Sequence, residues 1–141
     1  MREKTINELL SECGISLKPI DSETSLSEND LNGLHVVISW NDEKKILTIR
    51  SNLLAIDDFY DSRMQLFQKY VLQLNSLDFL PEGCRLGISM TDLAVQIRGS
   101  VKLDLNLEGE GEKIAHMIKA VIYFGHESIK MLVEEYERIM E

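Results

Sequence analysis

Several familiar protein classes are excluded by what this sequence lacks. Its only two cysteines, Cys13 and Cys84, are far apart in the chain, which leaves no disulfide framework and no thiolate metal site. With only two prolines, long disordered tails are not expected. No stretch approaches the ~20 apolar residues of a membrane span. The opening Met-Arg-Glu-Lys-Thr-Ile-Asn-Glu carries acids where a secretory leader needs an apolar run. Bases are scarce, 15 against 24 acids for a net charge of −9, and this balance disfavours nucleic acid or an anionic membrane as the general partner. A cytoplasmic protein without a membrane span is the expectation.

What is present suits an ordinary folded domain. A hydrophobic fraction of 44% and a charged fraction of 28% are those of a globular chain. Residues 1–141 are expected to form one domain. Ile6, Leu9, Leu10 and Cys13 share a helical face before Gly14, which predicts a short helix over about residues 3–13. Residues 18–34, rich in Ser, Asp, Glu and Asn, read as a flexible connector. The β-branched and aromatic runs His35–Trp40 and Lys45–Arg50 predict a hairpin closed by Asn41–Lys44. Asp57, Asp58 and Asp61 are placed to cap a helix whose Met64, Phe67, Val71 and Leu74 recur at helical spacing.

The clearest β signal follows a strand expected over Cys84–Met90. Leu93, Val95, Ile97, Val101, Leu103, Leu105 and Leu107 all occupy odd positions, with polar residues between most of them. That is the period of a half-buried antiparallel strand, with a bend or bulge, or a break into two strands, expected at Gly99. From about Glu112 a long helix carries Ile114, Ile118, Val121, Ile122, Gly125, Ile129, Leu132, Val133 and Tyr136 on one stripe. The expected fold class is α+β, in the order α-β-β-α-β-β(β)-α, an antiparallel sheet with helices packed mainly on one face.

A search for chemistry finds no catalytic constellation. His35, His116 and His126 form no metal-binding pair. The three aspartates are better explained as caps than as ligands for a cation. The glycines make no phosphate-binding loop, and neither cysteine has a histidine nearby in sequence. The expectation is therefore a non-enzymatic protein without cofactor or metal, acting by protein binding. Trp40, the Phe59-Tyr60 pair and the six methionines are the apolar residues that could serve a recognition surface, against the plainer reading that most of them fill the core.

From Asp57 to Tyr136 the chain resembles the type III secretion chaperone-like superfamily, which includes CesT-type chaperones and YbjN-like proteins. The resemblance rests on Leu72-Gln-Leu-Asn75 closing a helix, Gly83-Cys-Arg-Leu-Gly-Ile88, Leu93-Ala-Val-Gln96 and the final amphipathic helix. It implies a cytoplasmic homodimer that holds an extended segment of a secreted effector without ATP. On that reading Val36, Ile38, Trp40, Leu47 and Ile49 are candidates for partner binding, and Phe67, Tyr70, Val71 and Leu74 for the dimer contact. A YbjN-like regulatory or adaptor protein, an immunity-type inhibitor and a small enzyme with a dispersed site remain the alternatives.

Overall fold

The computed structural model describes residues 5–141. Helix α1 (Ile6–Ser11) is followed by β1 (Lys18–Pro19), β2 (Thr24–Leu31), β3 (Leu34–Asn41) and β4 (Ile46–Ala55). Helix α2 (Met64–Ser76), β5 (Cys84–Ser89), β6 (Ala94–Lys102) and α3 (Glu110–Met140) complete the chain. The strands form one antiparallel sheet in the order β1-β2-β3-β4-β6-β5. The predicted α+β class and one-sided helical packing both hold.

Alternation sets the inner face. Leu34, Val36, Ile38 and Trp40 of β3, Leu47, Ile49 and Leu53 of β4, and Val95 and Ile97 of β6 are all buried. Helix α3 packs chiefly on β4 and β6, while α2 packs on β5 and against α3. Ile114, Ile118, Val121, Gly125 and Leu132 are the buried residues of the α3 stripe, and Met117 beside it is buried as well. Phe67 of α2 meets Tyr136 of α3 edge to face, with ring centroids 5.2 Å apart, a favourable aromatic geometry. At the start of α3 the buried Glu110 accepts from the Asp104 backbone N–H at 2.8 Å and pairs with Lys113 at 2.8 Å. Its charge is thereby met from both sides, as burial requires.

Three expectations need correction. Residues 18–34 are not a structureless connector, because they contain β1 and β2. The polar composition misled because β2 has few core contacts of its own and is held mainly by its ladder with β3. The turn between them is Asn32-Gly33, with φ of 50° and 83°, the left-handed pair that a two-residue hairpin needs. Second, the aspartates before α2 do not cap it. Its N-cap is Arg63, without a side-chain cap bond, and Asp58 and Asp61 instead accept from the Tyr60 and Arg63 backbone N–H groups in the preceding turns.

Third, β6 runs through Gly99 in regular register with Ile49 and Cys84. The irregularity lies in β4, between Asn52 and Leu54. Gly99 is instead where side chains of α3 press on the sheet: a Cβ there would stand 2.6 Å from Met117 Sδ and 2.8 Å from Val121 Cγ2. The strand also ends at Lys102, so Leu103 and Leu105 are buried in the segment beyond it, while Leu93 and Leu107 at the two ends of the alternation are exposed.

The Met117 thioether can swing aside, but the β-branched Val121 is held in one rotamer on a helix. Gly99→Ala is therefore expected to destabilise the fold by about 1–3 kcal/mol, read from the midpoint of urea unfolding. An unchanged midpoint would show that the helix seat is looser than described.

Candidate interaction surface

All five residues expected to bind a partner lie in the core. Val36, Ile38, Leu47 and Ile49 have no exposed surface and Trp40 only 2%; the Trp40 indole N–H donates to Asp42 at 3.2 Å. They hold the sheet to the helices and offer nothing to a second chain. The expected dimer contacts are likewise turned inward: Phe67, Val71 and Leu74 are buried, and Tyr70 is half-buried. Burial and the nearby Glu135 and Glu134 push the Tyr70 phenol up from its ordinary value.

The surface that α2 does offer lies on its flank towards β5. There Phe59, Gln68, Val71, Leu72, Ile88 and Met90 line an open, mainly apolar groove of about 260 Å³. Leu72 is 64% exposed and Met90 61%, and Tyr60 at 94% stands beside Phe59 in the chain. Leu66, also exposed, belongs to another flank, since six residues at 100° each place it about a third of a turn from Leu72. Of the residues singled out by sequence, Phe59, Val71 and Met90 therefore line the groove, whereas Trp40 does not. Leu72 was discoverable in principle, because it falls outside the Met64–Phe67–Val71–Leu74 stripe.

The groove ends at the outer edge of the sheet, and that edge is partly closed. The Asn75 side chain donates to the Leu86 carbonyl at 2.7 Å and accepts from the Leu86 N–H at 2.8 Å. It thus occupies both backbone groups that a neighbouring strand would use. At the opposite edge β1 pairs with Ser25 and Leu26, and among the described residues no strand pairs with Ser27–Leu31 on that side. Beside it lies a hollow of about 290 Å³ whose lining includes Lys18, Pro19, Ile20, Leu26 and Glu28.

Elsewhere the polar groups serve structure. His126 contacts the Asn32 carbonyl at 2.7 Å and ties the β2–β3 turn to α3. His35 stands 3.2 Å from Asp30 and 3.6 Å from Glu28. Cys84 lies 3.6 Å from the Met117 sulfur, and burial pushes its thiol up, away from the reactive thiolate. Arg63 pairs with Asp61 at 2.6 Å and donates to the Met140 carbonyl at 3.0 Å, joining the start of α2 to the end of α3. On α3, Lys130 pairs with Glu127 and Arg138 with Glu135, each partner three residues away. Among the described residues no group of three or more His, Cys, Asp or Glu could hold a metal ion, and no helix is long and apolar enough to cross a membrane.

These features define an α+β protein with helices on one side of an antiparallel sheet and an apolar groove where α2 meets the β5 edge. Two solved structures share the architecture. One is the crystal structure of the ExsC–ExsE complex, with a TM-score of 0.58 and 13% identity over 90% of each chain. The other is the HopA1–SchA chaperone–effector complex, with a TM-score of 0.57 and 13% identity over 89% of this chain and 90% of that one. The chain therefore has the type III secretion chaperone-like fold. No family model matches the sequence, and no curated protein matches it.

Two predictions follow from these contacts. Asn75→Ala leaves the half-buried edge amide and carbonyl of Leu86 without partners, so about 1–3 kcal/mol of stability is expected to be lost. The uncovered edge should also raise light scattering on storage; a variant as stable and as soluble as the parent would show that the bracket is ornamental. The second concerns Asp61, whose carboxyl the Arg63 guanidinium holds down from 3.8 to about 2. Because the folded value is depressed, this contribution is present above pH 3.8 and disappears as pH falls towards 2. In an NMR titration Arg63→Gln should return the Asp61 midpoint towards 3.8.

Proposed function

We propose that this protein is a non-enzymatic binding module of the secretion-chaperone kind, a homodimer that holds an extended segment of a secreted effector. The observation that carries the reading is an open apolar groove, flanked by Leu72 and Met90, on a fold shared with a chaperone solved in complex with its effector. Exposed apolar area of this kind on a soluble domain marks a contact surface. The second copy is assigned to the α2–β5 groove, where the exposed apolar side chains and the Asn75-blocked strand favour side-chain packing over strand pairing. The client is assigned to the unpaired length of β2, where an extended chain can add a strand and place its side chains in the adjoining hollow.

Sedimentation and co-purification test the two halves separately. The parent chain is expected to sediment as a dimer, and Leu72→Asp with Met90→Asp as a folded monomer, because two buried carboxylates cannot be solvated at an apolar contact. A parent that stays monomeric at every concentration would remove the dimer. Partners should be recovered through a protease-sensitive extended segment, protected only in the complex. Recovery of a folded, protease-resistant partner would instead favour the inhibitor reading.

A further inference from the structure

The face of the sheet turned away from the helices carries a charge pattern opposite to that of the chain. Strands β4, β5 and β6 contain no acidic residue, although the chain has 24. Their four bases, Arg50, Arg85, Arg98 and Lys102, all occupy positions that alternate with the buried residues, and so point to the open face. Register then aligns three of them. Arg50 on β4 is the direct cross-strand partner of Arg98 on β6, and Arg98 is the partner of Arg85 on β5. At the usual strand spacing the row spans roughly 10 Å.

Like charges placed directly opposite one another destabilise a sheet, and here no ion pair offsets them, although Glu28 and Asp92 line a hollow together with Arg50. None of the three guanidinium groups has a carboxylate within ion-pair distance among the described residues. Arg98 donates instead to Gln96 at 3.2 Å, Gln96 to Asn52 at 2.9 Å, and Asn52 to Asp92 at 3.2 Å. Two neutral amides therefore stand between Arg98 and the nearest acid of that chain of hydrogen bonds. Gln96 is 93% buried by its 7% exposure, so it presents Arg98 from a fixed support. Beside the row, a hollow of about 350 Å³ opens over Gly87, where a Cβ would meet nothing within 4 Å.

We propose that this arginine row is a docking site for a short acidic segment of a protein partner, lying across the strands with its carboxylates between neighbouring guanidinium groups. Carboxylates at alternate residues of an extended peptide are about 7 Å apart, so two of them fit within the row, where arginine can grip each through paired N–H groups. The acids at its rim select against a longer polyanion. Glu28 and Asp30 lie beyond Arg50 across β3, Asp92 lies past Asn52, and the whole chain is at −9. A nucleic-acid strand running off the row meets that negative field, whereas a peptide ending with the row does not. At physiological ionic strength the remaining charge is screened beyond about 8 Å, leaving the contact itself to decide binding. This site is on the opposite face from the core and does not use the α2–β5 groove, so the dimer and this contact can fail independently.

The test is fluorescence anisotropy on the full-length protein with a labelled peptide of alternating Glu and Ser, its Gln-Ser counterpart, and a labelled oligothymidylate. The Glu-Ser peptide is expected to bind about ten-fold or more tighter than the Gln-Ser peptide. Arg98→Gln should weaken it about ten-fold or more, the loss expected for one charge-assisted contact, and Lys119→Gln on α3 should leave it unchanged. Arg98→Gln should also melt at the same temperature as the parent or higher, since it removes the cross-strand repulsion. Arg85→Gln, on the edge strand, provides the same binding test if the central variant does not fold. Equal binding of the two peptides, full binding by both arginine variants, tighter binding of oligothymidylate through the same arginines, or a lower melting temperature for a folded Arg98→Gln would each overturn the proposal.

Discussion

The close seating of α3 on the sheet is the constraint from which the other features follow. It depends on two residues without side chains, one on each partner. Gly99 admits Met117 and Val121 from the helix, and Gly125 on the helix admits Leu34 and Leu53 from the sheet, with a Cβ at Gly125 only 3.0 Å from Leu34 Cδ1. A helix of 31 residues is about 46 Å long, so seating it across β4 and β6 covers most of one face. Dense packing of this kind tolerates little displacement. With α1 and α2 on the same side, the second face of the sheet is left to solvent and to any partner. The division between core and contact surface is thus decided by which face the long helix takes.

Sequence made the inner layer legible and the contact surface illegible, for one physical reason. Periodicity reports burial. The β-branched and aromatic runs His35–Trp40 and Lys45–Arg50 and the α3 stripe were strong because Val36, Ile38, Trp40, Leu47 and Ile49 sit against the helix. The same strength made them poor candidates for meeting another protein. Residues that do reach the surface as apolar groups, such as Leu72 and Met90, are single departures from a pattern and have no period of their own. β2 failed differently. Its Ser, Glu, Asn and Asp content resembles a loop, yet Asn32-Gly33 before the β-rich Leu34–Asn41 is a strong two-residue hairpin signal. Weight given to that dipeptide, rather than to average polarity, would have found the strand.

Gly99 shows how one residue can be noticed for the right reason and assigned the wrong one. A glycine interrupting an alternating series suggests a bulge when only the strand is considered. The competing cause is close approach of another element, which requires knowing what lies above the strand. Only the folded chain brings Val121 to that place, 22 positions later in sequence. The bulge itself lies in β4, where nothing in Asn52-Leu53-Leu54 distinguishes an irregular strand from a regular one.

Net charge has the same limitation as periodicity, because it is an average over faces that the fold then separates. An excess of nine acids does disfavour an extended polyanion as a general partner. It says nothing of three neighbouring strands from which acids are absent and on which all bases emerge on one side. Arg50, Arg85 and Arg98 are far apart in the chain and become neighbours only through the order β4-β6-β5. A crossover that placed β5 elsewhere would leave the composition unchanged and scatter the row. The partner chemistry of that face is consequently a property of topology. It can be read from the register of paired strands, and not from the overall balance of charge.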